Sequence, residues 1–296
     1  MKKEFFLPAL TVAGGILGFG LRRWELATAF EPDTGLPIAG VPATYALAAL
    51  SAVMVLVLLL LCRSKFEYLP REDDSAFAAL GNRLYAASSV LSAFLMLGGG
   101  VFMGWSFLAG RSDALAWGTF QIQSFSLIMR LIVAVLAAAA GVAMLVVAKS
   151  RFRGPMRSKY DILQLLPAYA CGIWLVASYQ TRAGDPVQLD YIYQIFAIIA
   201  CLLGLYYCAG FSFGKGKPYR PCLFSLLGVY SSAVTLADGH NLADTLLYAA
   251  VITYLLPTTM VLLHNGEAPI GKRLLLSTQA AQAEQAQETE ETTDES

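Results

Sequence analysis

The segment Ala237-Asp238-Gly239-His240-Asn241-Leu242-Ala243-Asp244 puts a histidine, two carboxylates and a carboxamide within eight residues. Nowhere else does a histidine stand so near two carboxylates, and these are residue types that move protons in catalysis. A plainer role fits the same spacing. Asn241 precedes an apolar run, where its side chain can cap a helix. Asp244 then falls in the first turn, where the positive end of the helix favours a carboxylate. The capping role is the preferred expectation.

Other chemistries find less support. His240 and Asp244 are similar to the HxxxxD motif of membrane acyltransferases, but three residues separate them instead of four. The second histidine, His264, lies at the far end of the following apolar run, so one haem could not be held between the two. The chain contains no HExxH or GxGD pattern, and no nucleophile elbow is expected. Gly214-Lys215-Gly216-Lys217 lacks the glycine spacing and following Ser/Thr of a phosphate-binding loop. Cys62, Cys171, Cys201, Cys208 and Cys222 show neither CxxC nor metal-ligand spacing. No cofactor, metal site, catalytic residue or nucleic-acid partner is expected.

The elements that must position these residues are apolar. Of 296 residues, 57% are hydrophobic and only 14% charged, against about 25% charged in soluble domains. The mean hydropathy is +0.58. From Tyr191 to Phe213 no charge occurs; about 23 residues make roughly 35 Å of helix, enough to cross a bilayer. The pattern recurs, which predicts an all-α, polytopic transmembrane bundle with short loops. About eight helices are expected, near 5–21, 41–62, 84–108, 126–148, 161–179, 191–213, 222–237 and 242–264. The first run ends in Arg22-Arg23 without a secretory cleavage pattern and is read as the first helix. A bundle over 1–273 and a polar, acidic, disordered tail over 274–296 complete the organisation.

Eight spans place both termini on one side. The connections on that side carry sixteen lysines and arginines and those opposite carry four, with Arg130 inside a span. Basic residues accumulate in cytoplasmic loops, so both termini are expected in the cytoplasm of a cell whose plasma membrane holds the chain. The Arg22-Arg23 pair, on the outer side, runs against the trend. The lipid bilayer is the expected partner. A membrane or cytoplasmic protein partner would meet the basic loop 149–160 or the tail, although the loop also serves simply as a topology signal.

Small residues suggest how the helices meet. Gly14 and Gly18 form a GxxxG pair, and Asp190, Gln194, Ala197, Cys201, Gly204 and Cys208 form a small or polar face. Gly98-Gly99-Gly100 has two readings: an interrupted helix exposing backbone to a substrate, as in transporters, or a close helix contact. The contact is the stronger expectation, since no paired interruption or repeat relates the two halves. Arg130 lies roughly 28 Å from Lys149 along a helix, near the outer edge of the hydrocarbon layer. It is expected to pair with Asp190, Asp238 or Asp244, or to reach the headgroups, closing the outer end of the bundle. No motif ties the sequence to a named family; it resembles bacterial multi-pass membrane proteins in general, which implies no mechanism. The reading is a non-enzymatic membrane component or complex subunit, with a permease for a small solute or lipid as the alternative.

Overall fold

The computed structural model describes residues 3–31, 36–65, 74–77, 79, 81–117, 120–153, 160–182, 187–213, 217 and 219–267. Eight α-helices are found there: α1 (Lys3–Thr28), α2 (Pro42–Lys65), α3 (Arg83–Trp117), α4 (Phe120–Arg153), α5 (Asp161–Arg182), α6 (Gln188–Ala209), α7 (Tyr219–Thr235) and α8 (Leu242–Glu267). All eight are long and apolar enough to cross a membrane. The chain is thus a multi-pass helical membrane protein. The expected tail, 274–296, lies outside the described residues.

Six helices form a closed ring. From α3 to α8 each helix packs on its chain neighbours, and α8 returns to α3. The hairpin of α1 and α2 lies against the outside of this ring, mainly on α7. One hydrophobic cluster fills the ring, including Met96, Ala137, Trp174, Ile198, Tyr248 and Leu255. A second joins the hairpin to α6, α7 and α8 through Leu47, Leu58, Phe211, Leu226 and Leu262. Where lipid tails are as apolar as leucine, such contacts are selected by fit.

The fit comes from missing side chains. A Cβ on Gly100 would lie 2.8 Å from the Ala134 carbonyl oxygen, and one on Gly99 would lie 2.9 Å from Leu247 Cδ2. The triplet therefore sits inside an unbroken α3, wedged between α4 and α8. Gly14 and Gly18 serve two neighbours, the first approaching Met54 of α2 and the second Val234 of α7. On α6, Gly204 meets the Ser225 backbone of α7, and Gly228 of α7 meets Cys201. The short α7 touches α1, α2, α6 and α8, the shielding expected of a span near the minimum length. Pro167 and Pro257 lie within α5 and α8 without ending them.

Two stretches differ from the sequence expectation. The connection expected over 109–125 is largely helical backbone, because α3 runs on to Trp117 and α4 begins at Phe120. At 35 and 34 residues these helices are roughly 50 Å long and project past a hydrocarbon layer of about 30 Å. The first helix continues to Thr28, seven residues beyond the apolar run that announced it. Arg22 and Glu25 are thereby in a helix, one turn apart, and not in a surface connection.

Candidate functional site

Polar side chains gather where α1 and α7 finish and α6 and α8 begin. The centre is Arg22, fully buried together with Glu25. Its Nη1 donates to Glu25 Oε2 at 2.7 Å and to the Leu189 carbonyl at 3.2 Å. Its Nε donates to Asp238 Oδ1 at the end of α7. The guanidinium also lies over the Tyr193 ring, 5.0 Å from its centroid. A buried arginine needs such surroundings, since stripping water from an ion costs several kcal/mol unless charges and hydrogen bonds replace it. Three elements of the chain, α1, α6 and the end of α7, are joined at this one group.

The network continues toward α8. Thr235 Oγ1 donates to Asp238 Oδ2 at 2.7 Å and lies 3.0 Å from His240 Nε2. A threonine hydroxyl has one proton, and here it goes to the carboxylate, so His240 Nε2–H is the donor to Thr235. The His240 ring lies beside Tyr248 at 5.1 Å between centroids, and Tyr248 beside Trp174 at 4.7 Å. Trp174 Nε1–H then donates to Asp244 Oδ1 at 2.9 Å. Asn241 accepts the Asp244 backbone N–H at 2.8 Å on its Oδ1, which caps α8. Gly239, at φ 68°, supplies the left-handed turn between α7 and α8.

Beyond Trp174 and Asp244 lies a cleft of about 190 Å3 between α3, α4, α5, α6 and the start of α8. Arg130, Gln194, Ser106 and Ser178 line it with them. The Gln194 side chain is 6% exposed and its Oε1 has no hydrogen-bond partner among the described residues. Arg130 is exposed and forms no ion pair with a described residue. Asp238 is held by Arg22, and Asp244 carries the Trp174 hydrogen bond. The Asp190 side chain lies outside the described residues. Arg22 thus joins helices at this end of the bundle, while Arg130 borders a cleft.

A second buried arginine marks the opposite end. Arg151 Nη2 donates to Gln164 Oε1 at 2.8 Å, and Gln164 Nε2 donates to Ser212 at 2.6 Å, linking α4, α5 and the end of α6. Its guanidinium lies 4.6 Å from the centroid of Phe77, itself edge-on to Phe211. Phe77 belongs to a short 3-10 turn, Asp74–Phe77, tied to α8 by Asn265 Nδ2 donating to the Ala76 carbonyl. Lys149 to Arg153, expected in a basic loop, are the last residues of α4, with Arg151 turned inward. Residues 154–159 lie outside the described residues.

Among the described residues no three His, Cys, Asp or Glu side chains converge as a metal set. The described cysteines are free and buried. What the polar end can do chemically is bind: it offers a cation and a carboxylate around one small space, with Gln194 and Trp174 in its wall. Asp238, His240, Asn241, Asp244 and Arg130 of this assembly stood out in the sequence. Arg22 and Glu25 carried a signal in their i,i+3 spacing, which places opposite charges on one helix face. Gln194 carried one too, as a polar member, with Asp190, of a largely small face. No family model, no curated protein and no solved structure matches the chain.

Proposed function

We propose that this chain is a non-enzymatic component of the plasma membrane, with both termini in the cytoplasm and the Arg22 end of the bundle facing out. The observation that supports it is the glycine seam of α3. Gly99 and Gly100 bring the backbone of α3 against Leu247 and Ala134 with no room for a methyl group. A helix so held is a fixed structural part, unlike the broken helices around which carriers rock. Buried arginines at both ends join further helices, Arg22 linking α1, α6 and the end of α7, and Arg151 linking α4, α5 and the end of α6. The bundle then acts as a rigid platform that presents surfaces to a partner or ligand.

Copurification tests the reading. Mild-detergent extraction of the full chain from its native membrane is expected to yield a stoichiometric protein partner or bound ligand, and proteoliposomes are expected to show no solute flux. Sidedness has its own test, made clean by the burial of the native cysteines. A cysteine at the exposed Ile38 is expected to react with an impermeant reagent from outside, and one at Lys217 only after permeabilisation. The reverse pattern overturns the orientation. The permease reading has one observation in its favour, the polar cleft beside Arg130. A saturable flux abolished by Arg130→Ala would replace the platform with a carrier.

A further inference from the structure

We propose that the cleft between α3, α4, α5, α6 and α8 is a binding site for a small zwitterion carrying a primary ammonium and an oxyanion a few atoms apart. This goes beyond the platform reading and does not depend on it.

Three polar groups set the chemistry. Arg130 supplies a planar cation, suited to a carboxylate or phosphate. Asp244 supplies the opposite charge and already has one oxygen positioned by Trp174 Nε1. Gln194 supplies a carbonyl oxygen that is buried and has no described partner. That oxygen is closed to the cleft as it stands, and a turn of the side-chain amide would present it to a donor arriving there. An ammonium has three protons, enough for Asp244 and, once its amide turns, Gln194 Oε1. Arg130 and Asp244 border the same space but do not pair with each other, so a molecule with both charges can join them. Trp174 also belongs to the wall, its Nε1 holding Asp244 in place.

Size narrows the class. About 190 Å3 is below the roughly 300–1,000 Å3 of drug-sized pockets, so it admits only a few heavy atoms. Counted from Lys149, Arg130 lies roughly 28 Å along α4, which in a hydrocarbon layer of about 30 Å would bring it within reach of both water and headgroups. The zwitterion thus has two sources, a free amino acid or the phosphoethanolamine headgroup of a phospholipid.

The test uses the full chain in nanodiscs of phosphatidylglycerol, titrated with glycine and with soluble phosphoethanolamine while thermal unfolding is followed. Acetate and methylammonium are the single-charge controls. A second set of discs contains phosphatidylethanolamine, with phosphatidylcholine as its methylated control. A rise in Tm with a free zwitterion in the first discs assigns a soluble ligand. A rise only in the phosphatidylethanolamine discs assigns the headgroup. In either case Arg130→Ala and Asp244→Asn are expected to weaken binding at least tenfold. Gln194→Leu is expected to weaken it, and Gln194→Glu to strengthen it by adding charge toward the ammonium. Each variant is used only if its ligand-free Tm matches the parent. The proposal fails if no zwitterion raises Tm, if the single-charge controls act equally, or if the variants leave the effect unchanged.

Discussion

Arg22 and Arg130 stand at one end of the same bundle and meet opposite fates. Arg22 is fully buried, held by Glu25 on its own helix and by Asp238 from 216 residues away. Arg130 is exposed and borders the cleft with no ion pair to a described residue. The sequence pointed the other way, since Arg130 falls inside an apolar run and Arg22 just beyond one. Depth along a helix therefore does not decide whether a charge is structural. What decides it is whether a neighbouring carboxylate comes within hydrogen-bonding distance, as Asp238 at the end of α7 does for Arg22.

The sharpest way to break this comparison is to remove Arg22. Arg22→Ala leaves Glu25 and Asp238 buried beside each other without their cation. Removing one partner of a buried pair costs about 3–5 kcal/mol. The expected outcome is a large fall in the detergent-solubilised Tm, or failure to fold. The triple change Arg22→Met, Glu25→Leu and Asp238→Leu removes the stranded charges too, and is expected to recover much of the loss. If Arg22→Ala melts like the parent, the buried network holds nothing together.

A smaller effect is expected at the glycine seam. Gly100→Ala places a methyl group 2.8 Å from the Ala134 carbonyl and 3.0 Å from the Ala138 nitrogen, both rigid helix backbone. Overpacking of this kind costs about 1–3 kcal/mol. Gly98→Ala meets only Leu246 at 3.7 Å, an ordinary contact, and is expected to change Tm little or even raise it by replacing a helical glycine. Equal effects at the two positions, measured by thermal unfolding, would remove the seam as an explanation of the triplet.

Smaller again is the cap. Asn241→Ala removes the bond to the Asp244 N–H and is expected to cost about 1 kcal/mol. It shifts the start of α8, and with it the carboxylate of Asp244. Asn241→Ser retains a capping oxygen and is expected to restore most of the loss.

The eight spans were legible because crossing a bilayer demands apolar length, a property each segment carries alone. The Asn241 cap was legible for the same reason, as three residues suffice to define it. The Arg22 network was not. A charge following an apolar run looks like a loop, and its decisive partner, Asp238, is set beside it only by the packing of α1 on α7. The glycine triplet showed that something approaches closely, but only Ala134 and Leu247 reveal that the helix stays whole. The cleft draws its residues from five helices, so no stretch of sequence contains it.

The smallest effect is expected at Arg130. If it closed the bundle end, Arg130→Ala would destabilise the protein, and Arg130→Lys would retain part of the loss. The structure gives Asp238 to Arg22 and leaves the Arg130 guanidinium exposed at the cleft. Changes at exposed positions without a structural partner usually stay within about 0.5 kcal/mol. The ligand-free Tm of Arg130→Ala is therefore expected to match the parent within about 2 °C, on the scale of 2–4 °C per kcal/mol for chains of this order of size. Neutral stability would also separate the two arginines by role, Arg22 holding helices and Arg130 free to meet something from outside. A fall comparable to that of Arg22→Ala would mean that Arg130 also serves the fold, and the contrast between the two would disappear.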